Sequence, residues 1–172
     1  MATAPPRVAV APVTDESEAA VRALQVSPSQ VAYVGDVGSN LDNARRDRGS
    51  EAMAIRVDGA VAGFYRIDRV VSVVSRWPPG DGCIALRAFL LDVRWQGRGL
   101  GVQALHACCD DLGRRHPLAR VLALNVHCAN VAAVRAYRAA GFIDSGELVN
   151  GGSAGPQHLM VRRLDAGGGM GH

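Results

Sequence analysis

The chain has 172 residues, 48% of them apolar and 20% charged, with a formal net charge of +3. That length favours one domain with a buried core, and that composition excludes a disordered chain. The charge is too small to argue for a nucleic-acid surface, no apolar run is long enough for a membrane span, and every one of the 19 basic residues is arginine.

Cys83, Cys108, Cys109 and Cys128 form no C-x-x-C pair and show no zinc spacing, so reduced thiols are expected. The start of the chain lacks a basic segment followed by an apolar one. No signal peptide is read there, and a cytoplasmic protein is the expectation.

In chain order, residues 7–13 are valine-rich and suit a first strand. "TDESEAAVRAL" reads as a helix, with Thr14 and Ser17 as capping candidates and acidic residues at its positive end. Ser27 and Pro28 open a second helical stretch, and "SNLDNARRDRG" extends it as a short polar one. Residues 27–50 are weakly apolar and read as a cover or lid rather than a core element. "EAMAIRVDGAVAGFYRID" is a hairpin around Asp58-Gly59. A Pro/Gly loop, "SRWPPGDG", precedes a run over residues 83–93 that reads as a strand buried on both faces. Leu100, Ala104, Ala107 and Leu112 then give helical spacing. "ARVLALNV" is a strand, and "NVAAVRAYRAAG" is a helix ending at Gly141. "FIDSGEL" and "QHLMVRRL" are the last two strands, with the flexible loop "VNGGSAGP" between them. The strand–helix–strand stretches imply some parallel pairing and the hairpins antiparallel pairing, so a mixed sheet is expected.

The stretch "QGRGLG", residues 96–101, places three glycines between a strand and a helix, where a backbone must come close to something. A plain strand–helix turn is one reading. A nucleotide-triphosphate loop needs a lysine, and the chain has none. A dinucleotide loop fits Gly99-x-Gly101-x-x-Ala104, but "RVLALNV" lacks the acid that would hold a ribose. The third reading is an anion site formed by loop amides and a helix N-terminus. Gln96-x-x-Gly99-x-Gly101 has a companion block downstream: Asn130, Ala133, Tyr137, Gly141 and Phe142 in the spacing N-x-x-A-x-x-x-Y-x-x-x-G-F. Together the two blocks resemble the GCN5-related N-acetyltransferase superfamily, and the resemblance covers roughly residues 7–164. "RAFLLDVRWQGRGLG" and "GELV" are loosely similar to bacterial polyamine acetyltransferases.

The resemblance implies a single-domain α/β (α+β mixed) fold over residues 7–164, with a central mixed, partly parallel sheet of six to seven strands flanked by helices. Residues 1–6 are then a disordered N-terminus and residues 165–172 a flexible tail. It implies acetyl transfer from acetyl-CoA to a primary amine by direct attack in a ternary complex, without a metal. His106, His116, His158 and His172 show no ligand spacing. Gln96, Gly97, Arg98, Gly99, Leu100, Gly101 and Val102 would hold the pyrophosphate of coenzyme A, with Arg98 adding a charge-assisted contact. Phe89, Leu90 and Leu91 would pair their backbone with the pantetheine arm. Asn130 would contact the cofactor, cap its helix, or do both. Tyr137 would be the general acid that protonates the leaving thiolate.

Several relatives carry a glutamate where this chain has Asn125, and an amide cannot take a proton. Asn125 would position a water or the amine. The candidate bases are His127, which shares a strand face with Asn125, and Glu51, Asp68 and Asp92, with a loop-shaping role as the other reading of Asp92 and a water relay as the alternative to any dedicated base. The acceptor classes are a polyamine, an amino-sugar antibiotic, an amino acid or a peptide N-terminus. Asp36, Asp42, Asp47 and Asp81 are candidates to receive a cationic amine. No nucleic-acid or membrane partner is expected, and the chain is expected as a monomer or homodimer. A non-catalytic acyl-CoA-binding or sensing module on the same fold is the competing reading.

Overall fold

The computed structural model describes residues 4–69, 82–149 and 155–164. The loop "SRWPPGDG" up to and including Asp81, most of "VNGGSAGP", and the tail 165–172 lie outside the described residues. Seven strands form one sheet in the order β1-β2-β3-β4-β5-β7-β6: β1 Val8–Pro12, β2 Ser50–Val57, β3 Ala60–Asp68, β4 Cys83–Leu91, β5 Val121–His127, β6 Ile143–Val149 and β7 Gln157–Arg163. Five helices accompany it: α1 Asp15–Arg22, α2 Pro28–Val34, α3 Val37–Arg46, α4 Leu100–Arg115 and α5 Val131–Ala139. Among the described residues no helix is long and apolar enough to cross a membrane.

Among the described residues only β4 and β5 pair in parallel, and only through Cys83↔Val121, Ile84↔Leu122 and Ala85↔Ala123. Beyond Ala85 the two strands part. β4 meanwhile continues along β3 as far as Gly63↔Leu91. The residues of β4 after Ala85 therefore have a strand on one edge and none on the other. β5 and β6, expected as parallel neighbours, are separated by β7, which inserts between them and runs antiparallel to both. The Asp58-Gly59 turn is as expected, with both residues at positive φ (50° and 86°).

One face of the sheet carries α4 and α5. Met53, Tyr65, Ile67, Leu122 and Leu124 pack there with Leu105, Leu112, Tyr137 and Phe142. On α4 the core position is Cys108, fully buried beside Cys109, rather than the expected Ala107, which is only half-buried. The other face carries α1–α3, where Val21, Leu24, Val37 and Leu41 pack on Ala54, Phe64 and Leu90. This corrects the reading of residues 27–50 as a cover. α3 buries Val37, Leu41 and Ala44 and is a core element, whereas α2 buries no residue.

Candidate functional site

The site grows from the end of β4. Asp92, 1% exposed, accepts from the Gln25 N–H at 2.8 Å, the Arg94 N–H at 2.9 Å and Arg94 Nε at 2.9 Å. Burial disfavours its carboxylate, but these donors outweigh that and hold its pKa below the usual range. Asp92 thus anchors the turn Val93–Trp95 and is not a free base.

Gly97 and Gly99 follow at φ 77° and 73°, a left-handed backbone that L side chains rarely adopt. A Cβ at either position would stand in open space, with no protein atom within 4 Å. Gly99 is the N-cap of the 16-residue α4 and offers no side chain to its first-turn amides. Those amides and the positive end of the helix dipole therefore face open space, an arrangement that favours an anion.

A cavity of about 330 Å³ runs from this loop along the strand-free edge of β4 to α5. Gln96, Gly97, Gly99, Leu100, Gly101 and Val102 line the loop end; Phe89, Leu90 and Leu91 line the strand; Asn130 and Tyr137 line the α5 end. Every residue expected to hold the cofactor is there except Arg98. Its guanidinium instead lies 5.5 Å from the centre of the Trp95 ring, on the exposed side of the loop. The amide-lined loop, the unpaired strand edge and the apolar wall of Leu105, Ala133 and Ala136 fit a phosphate-bearing group that ends in an extended amide-containing arm. Gly99→Val tests the loop. A β-branched residue at φ 73° is strained and projects into the open space, so acetyl-CoA affinity measured by calorimetry should fall about tenfold or more. Unchanged affinity would remove the loop from the binding site.

Tyr137 is 9% exposed, with its ring 6.3 Å from Phe89 and 5.6 Å from Phe142 in edge-on contacts. Burial first, and the nearby Cys108 thiol second, push its phenol well above the ordinary tyrosine value. Asn130 caps α5 by accepting from the Ala133 N–H at 3.4 Å and also lines the cavity.

Asn125 and His127 lie elsewhere. Leu122, Leu124 and Val126 face α4 and α5, while Ala123 packs with Ala85 and Leu159 on the opposite face. The strand's alternation puts Asn125 and His127 on that opposite face. They share it, as expected, but the sheet stands between them and Tyr137, and the gap where β4 and β5 part lies between the two groups. The His127 ring packs 5.2 Å from the ring of Tyr33 on α2, and its buried Nδ1 has no hydrogen-bond partner among the described residues.

The remaining candidate acids are engaged. Glu51 pairs with Arg115 and His116, both at 2.8 Å. Asp68 is buried between Arg66 and Arg87. Asp36 caps α3, Asp42 pairs with Arg22 at 2.6 Å, and Asp47 accepts from the Gly49 N–H.

The sequence reading missed the part played by α2. Val26, Gln30 and Val34 line the cavity, and Gln96 Nε2 donates to Gln30 Oε1 at 2.9 Å and to the Leu91 carbonyl at 2.8 Å. No local signal marks Gln30, because its partner is 66 residues away.

Residues 18–142 match the model of the Acetyltransferase (GNAT) family. The spermine/spermidine N(1)-acetyltransferase of Bacillus subtilis (strain 168) is 29% identical over 157 residues, covering 88% of this chain and 95% of that protein. Aminoglycoside acetyltransferase AAC(6')-Ib in complex with coenzyme A and kanamycin superposes with a TM-score of 0.75 at 19% identity, over 93% of this chain and 96% of that one. The spermidine N-acetyltransferase of Vibrio cholerae in complex with CoA and spermine gives a TM-score of 0.70 at 13% identity, over 92% and 96%. At these identities the two structures bear on the fold alone.

Proposed function

Since the chain belongs to the acetyltransferase (GNAT) family and is an acetyl-CoA-dependent N-acetyltransferase, we propose that it transfers the acetyl group directly to the primary amine of a small molecule, with Tyr137 as the general acid. Acetyl-CoA supplies the acetyl group as a thioester: the amine's C–N bond forms, the C–S bond breaks, one proton leaves nitrogen and one reaches sulfur. In this reading the loop amides of residues 97–102 bind the pyrophosphate. The unpaired edge of β4 at Phe89, Leu90 and Leu91 orients the arm and excludes water. Tyr137, buried at the α5 end of the cavity, gives the proton to sulfur.

The amine comes from the other face, through the gap between β4 and β5. There Asn125 orients the amine, and His127 takes its proton directly or through a water. The observation that carries the reading is the cavity that joins the uncapped N-terminus of α4 to a buried tyrosine along a strand edge without a strand partner. Direct transfer is favoured over an acyl-cysteine. Burial pushes the Cys109 thiol up to about 11 and that of Cys108 higher still, so neither is a thiolate at neutral pH.

The experiment is a thiol-release assay with acetyl-CoA and a panel of primary amines that includes polyamines, aminoglycosides and amino acids. Amine-dependent release with intersecting initial-rate lines is expected. Tight coenzyme A binding with no release across the panel would support a sensing module instead.

A further inference from the structure

The face of the sheet that carries Asn125 and His127 also carries a charged cluster that the reaction above does not use. Asp68, 2% exposed, is shared by two arginines, with Arg87 Nη1 at 2.8 Å from one oxygen and Arg66 Nη2 at 3.5 Å from the other. The Ser50 hydroxyl donates to the same carboxylate, and Arg66 also reaches Ser50 Oγ at 3.2 Å and Asn40 Oδ1 at 3.3 Å. One carboxylate against two guanidinium groups leaves the cluster one positive charge in excess. Arg66 is enclosed, its side chain 5% exposed, whereas that of Arg87 is 37% exposed. The excess charge is accessible at Arg87.

Its position gives that charge a use. Arg87 stands on β4 two residues beyond Ala85, where the β4–β5 ladder ends opposite Ala123. Continued past that point, the same register sets Arg87 level with Asn125, across the gap. Ala88 follows at φ 53°, in an irregularity of the β3–β4 ladder that turns Phe89 to the cavity side and leaves Arg87 on the acceptor side. Of the acids at α3, Asp42 is paired with Arg22, while Asp36 and Asp47, at the two ends of the helix, accept from backbone N–H groups and keep their charge. The charged group that stands beside the gap itself is the Arg87 guanidinium.

We infer that Arg87 receives a carboxylate of the acceptor, so that the preferred acceptor is an amine that also carries an acid group, and that Asp68 and Arg66 hold Arg87 in place for it. A guanidinium already fixed by one carboxylate keeps donors in its plane for a second, and loses little freedom on binding it. The inference rests on the N-acetyltransferase reading and specifies the substrate class of that same site.

The test compares ω-amino carboxylates of increasing length with their carboxamides and with spermidine, by thiol release at saturating acetyl-CoA. The carboxylates should exceed their amides about tenfold or more in kcat/KM, as expected for a charge-assisted pair. Arg87→Gln should bring that ratio close to one, mainly through KM, with acetyl-CoA affinity unchanged as the check that the variant is folded. Arg87→Lys should keep part of the preference. Spermidine or the amides matching the carboxylates in the unmodified protein would overturn the inference while leaving the acetyltransferase reading intact, as would an Arg87→Gln variant with the ratio preserved. No thiol release with any amine would overturn both.

Discussion

Tyr137→Phe should lower kcat about 100-fold or more while acetyl-CoA affinity changes by no more than about threefold, the range expected when a general acid is removed from a preserved site. Phenylalanine keeps the ring that packs on Phe89 and Phe142, so the cavity wall survives and only the hydroxyl is lost. The burial that holds the phenol above its ordinary value also fixes the pH behaviour. A group whose pKa is raised stays protonated further into the alkaline range, so Tyr137 remains a competent acid throughout the range where acceptor amines lose their own protons. Rate should therefore rise with pH as free amine accumulates, with no descending limb from Tyr137 below about pH 10. Steady-state kinetics and calorimetry on the two proteins check both parts; equal turnover would take Tyr137 out of the mechanism.

The largest stability effect is expected at Gly63. A Cβ there would sit 2.4 Å from the Leu90 carbonyl oxygen, 2.9 Å from Leu91 Cδ2 and 3.0 Å from Ile55 Cδ1. The nearest of these is backbone and cannot swing away as a side-chain end would. Gly63 is paired with Leu91 on one side and Ile55 on the other, next to a register shift in each ladder. Gly63→Ala must push β4 away from β3 just where Leu90 and Leu91 line the cavity. The expected cost is about 3 kcal/mol, or a fall in Tm of roughly 10 °C, together with weaker acetyl-CoA binding. Thermal unfolding with and without acetyl-CoA measures both; an unchanged Tm would mean that the strands do not approach so closely.

The features that sequence reveals here are those in which a local backbone demand is written in residue type. Glycines at residues 97 and 99 mark left-handed turns, Asp58-Gly59 marks a hairpin, and Asn130 marks a helix start. All were readable, and the two motif blocks placed the cavity walls with them. The misreadings share a different cause. α3 is polar in sequence, yet three residues on one face are enough to seat it on Phe64 and Leu90. Ala107 and Cys108 are neighbours, and only the rotation of α4 against the sheet decides which is inside. Glu51 and Asp68 read as free bases because their partners, Arg115 and Arg87, are 64 and 19 residues away, whereas the loop-shaping alternative for Asp92 is the one its bonds to the Arg94 and Gln25 amides bear out. Arg87 did leave a trace: it is the one charge inside the apolar run "CIALRAFLL". Its meaning depends on Asp68 and on the point where β4 leaves β5, and neither is local.

That point of departure also bears on cohesion. Among the described residues, three pairs join β1–β4 to β5–β7 within the sheet, so two half-sheets meet at a narrow seam. The cavity opens along that seam, with β4 on one side and α5 on the other. Whatever fills it touches both halves and supplies contacts where the ladder has none. Occupancy and the unity of the fold are then a single linked equilibrium, worth about 2.7 kcal/mol when ligand stands at a hundred times its dissociation constant. A core that spans both halves holds the empty protein together, and acetyl-CoA should add to its melting temperature as the ligand bridges the seam.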